Sequence, residues 1–381
     1  MSDKSILLIV RSLRLGGMER MTVNLANALH RMGYDVHILI FKNRIEIQPD
    51  PGVSVHAVDF DRYFRITGIG LLYELFTRGI ISRLNRRSRR VFRSLWFSRL
   101  FSLWLNQLEK KIGRKFELIV ARGVGSFEGL SGFRDPRMLR IVVNEIWMQN
   151  PGWADKSFFK GSFTSAPVLF NSQQVLDDFL SIGERLSVDN LQARLIRNPT
   201  DTEEILRKAR EAIDIEGPFI LNVGRLEHSK NQQLLLKAFA SIHQTIPHRL
   251  VIIGGGSQRE KLQCLAEELG ISQHIIFTGT LTNPYPWMAH ADLFVLTSLH
   301  EGLPNVVIES QLCGTPVVIT RGKGGAVELM QGELSNFIAE MEPDSLAQKI
   351  QQAVKKPPKI DREFVSSFDM YQVAEQILGF I

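Results

Sequence analysis

Short apolar runs alternate with amphipathic helical patterns along the whole chain. Because such runs are typical of buried strands, this alternation predicts parallel sheets with helical crossovers. At 381 residues the chain is too long for one ordinary core and has the size of two α/β domains. The predicted strands of the first half cover residues 6–10, 36–41, 53–58, 118–121, 141–143 and 168–170. Those of the second half cover residues 219–223, 250–253, 274–277, 293–296 and 317–319. Two sheets fit this pattern better than one long sheet.

A turn near residue 200 predicts the boundary between the two domains. Pro199 disfavours helical geometry at Asn198, and Asp201 or Thr202 can cap a following helix. We therefore expect one domain over residues 1–196 and a second over 197–360. Two prolines near residue 357 break a helix, and a final amphipathic segment is expected over 361–381.

Two glutamates bracket a polar turn that follows the predicted strand 293–296. Glu301 precedes the turn, and Glu309 lies one helical turn beyond it. A turn between a buried strand and a helix is where open α/β sheets bind ligands, and a helix start suits a phosphate. Carboxylates can accept hydrogen bonds from the hydroxyls of a sugar. This arrangement predicts a nucleotide-sugar site.

Two other strand-to-helix loops carry residues suited to the same ligand. Arg225 and Lys230 follow the predicted strand 219–223, where an arginine fork and a lysine point charge can converge on a diphosphate. Gly16 and Gly17 follow the first strand, where the absence of Cβ atoms and a tolerance of positive φ permit close approach of a ligand. Each loop alone also fits a plain explanation, a solvated loop for the first and simple turn geometry for the second.

Composition excludes several other classes of protein. The chain has 44% apolar and 23% charged residues, as globular proteins do. It has two cysteines, Cys264 and Cys313, so we expect no disulfide framework. We see no cluster with metal-ligand spacing and expect no cofactor or metal. The apolar run 6–10 is too short for a signal-peptide core, and no stretch approaches the length of a membrane span. We expect a cytoplasmic protein whose membrane contact, if any, is peripheral.

A basic aromatic segment covers residues 78–115. Its apolar side chains include Phe97, Phe101 and Trp104. Glu109 is the one acidic residue of the segment. A basic face beside an aromatic face is typical of a helix on an anionic membrane, where each cation contributes about 1 kcal/mol. The alternative is a solvated helix whose apolar side packs on its own sheet. We expect no nucleic acid, since no recognised binding motif accompanies the cations. The cations are Arg78, Arg83, Arg86, Arg87, Arg89, Arg90, Arg93, Arg99, Lys110, Lys111, Arg114 and Lys115.

Four motifs taken together resemble the retaining glycosyltransferases of the family-4 type. They are, in order, the Gly16-Gly17-Met-Glu-Arg20 turn, Val223-Gly-Arg-Leu with Lys230-Asn231, Gly254-Gly-Gly256 with Leu262, and the glutamate pair with seven residues between. The resemblance implies the GT-B architecture, in which two Rossmann-like, doubly wound parallel-sheet domains face a central cleft. It also implies that the first domain binds the acceptor, that the second binds the donor, and that residues 361–381 pack back on the first.

The resemblance implies transfer of a hexose or related sugar from a nucleotide-diphosphate sugar, which we take to be a UDP-sugar. A glycan or lipid-linked acceptor is implied, in surface polysaccharide or lipopolysaccharide synthesis at the inner face of the membrane. Arg225, Lys230 and Glu301 are the implied catalytic residues, and a donor phosphate oxygen serves as base, so that no protein nucleophile is needed. The implied donor-binding residues are Gly16, Gly17, Gly224, Leu281, Gly302, Leu303, Pro304, Asn305, Val306 and Glu309.

The sequence departs from the family at Arg122, where many relatives carry a histidine. An arginine stays protonated and cannot serve as a base, so we expect Arg122 to bind an anionic group on donor or acceptor. Glu145 is a second acceptor-side candidate, and a helix-capping carboxylate explains it equally well. A sugar-nucleotide epimerase and a non-catalytic scaffold with the same fold remain as alternatives.

Overall fold

The computed structural model describes residues 4–14, 16–60, 62, 86–143, 152–189 and 191–381. These residues form two compact units, Met1–Thr200 together with Met370–Ile381 (unit 1) and Asp201–Asp369 (unit 2). Each unit is built around a parallel sheet with apolar cores on both faces. The prediction of two parallel-sheet α/β domains is thus confirmed.

Unit 1 holds a seven-stranded sheet in the order β3-β2-β1-β4-β5-β6-β7. Every strand pair is parallel, with Leu8 of β1 opposite Ile38 of β2 and Val120 of β4. The strands are β1 (Ser5–Val10), β2 (Asp35–Ile40), β3 (Ser54–Ala57), β4 (Phe116–Arg122), β5 (Met138–Val142), β6 (Val168–Phe170) and β7 (Ala193–Leu195). Its helices are α1 (Gly17–Arg31), α2 (Arg86–Ile112), α3 (Val124–Leu130), α4 (Trp153–Phe163), α5 (Gln173–Arg185) and α13 (Met370–Leu378).

Helices cover both faces of this sheet because its strands are apolar on both sides. On one face, side chains of α2, α4 and α5 pack against Leu7 and Ile119. On the other face, α1 and α13 pack against Leu8 and Val120. The unit is therefore doubly wound.

Unit 2 holds a six-stranded parallel sheet in the order β10-β9-β8-β11-β13-β15. A two-stranded ladder of β12 and β14 lies apart from it. The strands are β8 (Phe219–Val223), β9 (Arg249–Ile253), β10 (Ile275–Gly279), β11 (Leu293–Leu296), β12 (His300–Glu301), β13 (Val317–Thr320), β14 (Lys323–Gly324) and β15 (Ile338–Ala339). The helices are α6 (Thr202–Lys208), α7 (Gln232–Ile242), α8 (Arg259–Glu268), α9 (Tyr285–His290), α10 (Asn305–Leu312), α11 (Pro343–Lys355) and α12 (Arg362–Ser366).

The units divide the chain a few residues later than the sequence indicated. Residues 197–200 belong to unit 1, where Asn24 donates to the carbonyl of Pro199 at 3.0 Å and the amide of Met370 donates to Thr200. Asp201 then caps α6, since its side chain accepts from the amide of Glu204 at 2.9 Å. The expected boundary after residue 196 is replaced by one after Thr200, because these hydrogen bonds tie the turn to unit 1.

The final segment divides between the units instead of packing as one piece on the first. Helix α12 and the fully buried Phe368 lie in the core of unit 2, whereas Val373 and Ile377 of α13 are buried in unit 1. The expectation for residues 361–381 is therefore corrected to 370–381. An amphipathic pattern shows that a face will be buried, but it does not specify against which sheet.

The apolar side of α2 packs on the sheet of its own unit. Phe101, Leu105 and Leu108 are buried in the core, and Trp104 lies against Phe60 and Phe101. From residue 97 onward the aromatic face thus belongs to the core and is not free for a membrane. Residues 78–85 lie outside the described part of the chain. Within the described part, no helix is long and apolar enough to cross a membrane.

Candidate functional site

The strand order of unit 2 places its candidate residues at one point of the sheet edge. From β8 the chain moves outward through β9 to β10, whereas β11 begins the other half, which continues through β13 to β15. The neighbours β8 and β11 therefore form a topological switch point, where loops leave the sheet in opposite directions and open a crevice for ligands. The loop with Arg225 and Lys230 follows β8, and the turn with Glu301 follows β11. Residues 71 positions apart are thereby brought together.

An ion pair joins the two loops. The Lys230 ammonium contacts Oε1 of Glu301, and Ser298 donates its hydroxyl to the same oxygen at 2.7 Å. The side chains of Lys230 and Glu301 are 21% and 15% exposed, so the pair is largely shielded but still reached by solvent. Thr297 donates to the carbonyl of Lys230 at 3.0 Å. Both the backbone and the ammonium of Lys230 are therefore held by the turn after β11.

Arg225 is exposed, and its backbone is held by a neighbouring glycine loop. Gly254 has a φ of +150°, and a Cβ atom there would lie 1.8 Å from the carbonyl oxygen of Gly224. Leu226 donates its amide to Gly255 at 2.9 Å, and Gln232 donates its side chain to the carbonyl of Arg225 at 3.1 Å. The loop after β9 thus packs directly on the loop after β8. This close approach explains why glycine is needed at position 254.

A second loop supports Glu301 from behind. In the ladder of β12 and β14, Glu301 lies opposite Gly324, whose φ is +103°. A Cβ atom at Gly324 would lie 1.5 Å from the carbonyl oxygen of Glu301. The amide of Gly325 donates to the carbonyl of Gly302 at 2.6 Å. The backbone of the turn is consequently fixed by this loop, in addition to the contact of its side chain with Lys230.

Helix α10 carries Glu309 on its second turn. The helix begins at Asn305 after the extended Pro304, without a side-chain cap, and Leu303 and Pro304 are buried beneath it. Glu309 is 6% exposed. Burial raises the pKa of the neighbouring Cys313 thiol to about 12, and the Glu309 carboxylate contributes to this rise. Cys313 therefore remains a neutral thiol and supplies no nucleophile.

In unit 1 the candidate residues lie where β1 and β4 end. Gly16 precedes α1 with an extended backbone, φ −167°, so a tolerance of positive φ does not account for glycine there. A Cβ atom at Gly16 would instead lie 2.5 Å from a carboxylate oxygen of Glu19. Arg122 ends β4 and is 2% exposed. Glu145 lies outside the described residues. In unit 2, Leu281 follows β10 and is partly buried against the core.

Comparison with known proteins identifies the chain. Residues 204–366 match the family model described as glycosyl transferases, group 1. A relative from Campylobacter jejuni, an N-acetylgalactosamine-N,N'-diacetylbacillosaminyl-diphospho-undecaprenol 4-alpha-N-acetylgalactosaminyltransferase, is 26% identical over 98% of each chain. The chain is a glycosyltransferase, and its residues 204–366 are similar to the group 1 family.

Other similarities agree with this family and with the fold. The lipopolysaccharide core biosynthesis glycosyltransferase LpsE of Rhizobium meliloti is 32% identical over 43% of this chain and 48% of its own length. A glycosyltransferase from Rickettsia africae superposes with a TM-score of 0.73 at 16% identity, covering 99% of this chain and 98% of that one. HepE from Anabaena, solved with UDP and glucose, superposes with a TM-score of 0.69 at 18% identity over the same shares. The glycosyltransferase thus has the GT-B fold.

The structure of the glycosyltransferase adds residues that the sequence analysis did not select. Ser298 and Thr297 hold Glu301 and Lys230, and Gly324 supports the turn. A signal for Ser298 was present, since it lies three residues before Glu301 at a strand end. Gly324 carried no such signal, because its partner is 23 residues away and the two-residue strands lack an apolar pattern. His228 is exposed in the 3-10 helix His228–Lys230, and no side-chain contact to it is found among the described residues.

The described residues contain no group of three or more histidine, cysteine, aspartate or glutamate side chains that could hold a metal ion.

Proposed function

We propose that the glycosyltransferase moves a hexose or related sugar, with retention, from a UDP-sugar to a glycan or lipid-linked acceptor in surface polysaccharide or lipopolysaccharide synthesis. The observation that carries the proposal is the contact between Lys230 and Glu301 at the switch point of unit 2. It combines a cation for a diphosphate with a carboxylate for sugar hydroxyls in one place. The names of the relatives support the substrate classes: one acts on an undecaprenol-linked acceptor, and HepE binds UDP and glucose.

In this proposal the donor diphosphate replaces Glu301 as the partner of Lys230. The ammonium then neutralises charge on the departing diphosphate together with the exposed Arg225, which is electrostatic stabilisation of the transition state. Glu301 is then released from Lys230 but still bound by Ser298, and it can accept a hydrogen bond from a hydroxyl of the transferred sugar. A donor phosphate oxygen takes the acceptor proton. No metal ion is included, and we expect the transfer rate to be unchanged by EDTA.

The remaining donor contacts lie around the start of α10. The backbone from Gly302 to Val306 faces the sugar and phosphates at the uncapped helix start, where the helix dipole favours negative charge. Glu309 accepts hydrogen bonds from the ribose hydroxyls, and Leu281 contacts the base. Gly224 permits the approach of the diphosphate.

A donor screen followed by two substitutions tests this function. We expect one of a set of UDP-, GDP- and ADP-sugars to raise the melting temperature, because a ligand that binds only the folded state stabilises it. Transfer or hydrolysis of that donor should fall at least about a hundredfold in Arg225→Ala and in Glu309→Ala protein. Arg249→Ala is the matched control, since Arg249 is an exposed arginine at the opposite end of a strand of the same sheet.

Two outcomes would contradict the proposal. Full turnover in the Arg225→Ala protein would remove Arg225 from the chemistry. Donor binding without turnover of donor in the native chain would favour a non-catalytic scaffold.

We also propose that the enzyme works as a peripheral protein on the inner, anionic face of the cell membrane. Beyond residue 97 the aromatic side of α2 is used by the core, so the attraction comes from the exposed cations. Leu103, 61% exposed on the same helix, adds an apolar contact. The exposed cations on and just after this helix are Arg99, Lys110, Lys111, Arg114 and Lys115.

Co-sedimentation with liposomes tests the membrane proposal. We expect binding that rises with the fraction of anionic lipid and falls with salt. Changing Arg99, Lys110, Lys111 and Lys115 to glutamate should abolish it, whereas the same change at Arg207 and Arg210 of unit 2 should not. Binding that ignores lipid charge, or that survives the first set of changes, would count against it.

A further inference from the structure

Arg122 lies at the topological switch point of unit 1. The strand order places β4 beside β1, with β2 and β3 on one side and β5 to β7 on the other. Side chains alternate between the faces of a strand. Leu118 and Val120 pack in the same core as α1, so Arg122, two residues further on, lies on the side of the sheet that α1 covers. Ligands of such sheets bind outside the carboxyl ends of the strands at this position.

The Arg122 side chain is buried, and no described carboxylate is paired with it. The residue is 2% exposed, and its Nε has no hydrogen-bond partner among the described residues. Burial lowers the pKa of Arg122 to about 10, with no carboxylate acting against it. Arg137 of the same unit shows the usual solution, since it donates to Glu109 at 2.6 Å and to Asp135 at 2.7 Å. A buried cation that lacks such partners is destabilising unless a ligand supplies them.

The surroundings of Arg122 are electropositive. A Cβ atom at Gly123 would lie 2.4 Å from the sulfur of Met18, so the end of β4 touches the first turn of α1. Helix α1 begins there without a side-chain cap, and its dipole adds positive potential. Gly125 packs against the side chain of Arg11. Glu19 of the same helix turn is acidic, and its carboxylate lies against Gly16.

We propose that the edge formed by β1 and β4 is an oxyanion site, in which Arg122 binds a phosphate or carboxylate group of a substrate. The anion supplies the hydrogen-bond acceptors that the fold withholds from this guanidinium, and an arginine fork suits the paired oxygens of such a group. The site rests on the proposed function, since sugar transfer brings two substrates, each of which can carry an anion. The site requires that one of the two substrates carries an oxyanion, which binds to unit 1.

Phosphate binding by the full-length protein tests the site separately from sugar transfer. Arg225→Gln with Lys230→Gln first removes the cations of the donor loop in unit 2. We expect inorganic phosphate still to bind this double variant and raise its melting temperature. Adding Arg122→Met should weaken phosphate binding at least tenfold. Adding Arg140→Met instead should leave phosphate binding unchanged. Arg140 is the matched control because it too is fully buried, on β5, with Nε and Nη1 unpartnered among the described residues.

Two results would overturn the site. One is a double variant that does not bind phosphate at all; the other is phosphate binding that Arg122→Met leaves intact. If Arg122→Met fails to fold, Arg122→Lys serves in its place, because it keeps the charge and loses the fork. The tenfold weakening is then the expected result, and unchanged phosphate binding is the contrary one.

A second measurement assigns the source of the anion. If the acceptor supplies it, Arg122→Lys alone should leave the affinity for UDP-glucose unchanged; if the donor supplies it, that affinity should fall about tenfold. Both results agree with the site and differ only in the substrate. Should no nucleotide sugar bind or react, the proposed function fails, while the phosphate experiment still decides the site.

Discussion

At the scale of single residues, the candidate site of unit 2 depends on partners that are distant in the sequence. Lys230 and Glu301 meet because β8 and β11 are neighbours in the sheet, and Ser298 then fixes the carboxylate. Hydrogen bonds to a charged group contribute more than those between neutral groups, about 1.5–3 kcal/mol. Removing one such bond should therefore be visible in the kinetics.

Replacing Ser298 by alanine should lower the rate of transfer. The change removes the 2.7 Å hydrogen bond to Glu301 Oε1, so the carboxylate is less well oriented once Lys230 turns to the donor. We expect kcat/KM to fall about tenfold, corresponding to about 1.4 kcal/mol, with little change in melting temperature. Ser257→Ala is the control, because that exposed hydroxyl donates instead to Glu227, at 3.1 Å. Equal rates in the two variants would show that Ser298 has no positioning role.

Replacing Gly254 by alanine should destabilise unit 2 and displace Arg225. The new Cβ atom would lie 1.8 Å from the Gly224 carbonyl oxygen, and φ is +150°. Gly217→Ala is the matched control: its φ is +78°, with no atom within 4 Å of the added Cβ. The control should lower the free energy of unfolding by about 1–2 kcal/mol through its positive φ alone, and Gly254→Ala should lower it by more. Thermal unfolding measures both, and similar losses would mean that the close approach is unimportant.

At the scale of elements, α2 shows how one pattern serves two purposes. Its aromatic and aliphatic side chains cover the sheet, while its cations face solvent, so the amphipathic pattern correctly indicates a helix with two faces. The same pattern does not tell a core from a membrane as the apolar neighbour. Its far end also meets a histidine pair from β2 and β3.

This histidine pair should make the stability of unit 1 depend on pH. His37 bonds Asp35 at 3.2 Å and His56 at 2.9 Å, and His56 lies edge-on to Trp104 of α2. If His37 carries its proton on Nε2 and donates it to Asp35, its Nδ1 accepts a hydrogen bond from Nε2 of His56. When both imidazoles are doubly protonated, neither nitrogen of this pair can accept, and the hydrogen bond between the two rings is lost. Burial, and then the charges of His37 and Lys111, lower the pKa of His56 from 6.5.

The sign of the pH effect follows from this lowered pKa. The folded state binds fewer protons than the unfolded state, so stability is present above pH 6.5 and is lost as the pH falls through 6.5. We expect the melting temperature to fall between about pH 7.5 and about pH 5.5, and to fall less steeply in His56→Gln protein. His228→Gln, in an exposed loop of unit 2, is the control. A His56 variant with the native pH profile would contradict this assignment.

At the scale of the whole molecule, the chain passes from unit 1 to unit 2 after Thr200 and returns after Asp369. The last helix, α13, completes the core of unit 1 beside α1, with Val373, Ala374 and Ile377 fully buried. Each apolar side chain buried in this way contributes about 1.5–3 kcal/mol for the larger residues. Unit 1 therefore depends on residues that follow unit 2 in the sequence.

Removing residues 370–381 should destabilise unit 1. The deletion uncovers the apolar face of α1 and ends the hydrogen bond from Met370 to Thr200. We expect a lower melting temperature and more dye binding to exposed apolar surface. Deleting Ile381 alone, which is 45% exposed, should have little effect. Equal melting temperatures for the two deletions would mean that α13 does not complete the unit.

The sequence by itself determined most of the elements and where the candidate site residues lie relative to them. Buried parallel strands are apolar on both faces, so their runs were recognisable, as at residues 168–170, 219–223 and 293–296. Arg225, Lys230 and Glu301 were selected because they lie in loops that follow such runs, and Glu309 because it lies in the helix after one. The short strands β7, β12, β14 and β15 were missed, because none of them contains three consecutive apolar residues.

Only the tertiary structure decided which of these residues meet and which stay unpaired. Strand order is set by packing between distant segments, so the contact of Lys230 with Glu301 and the support from Gly324 could not be read from spacing. For the same reason the division of the final segment at Asp369 was not foreseen. The sequence supplied a cation at Arg122, and burial without a partner became visible only once β4 lay beside β1. The chemistry of a side chain is given by the residue type, whereas its burial and its hydrogen-bond partners depend on how the strands assemble into the sheet.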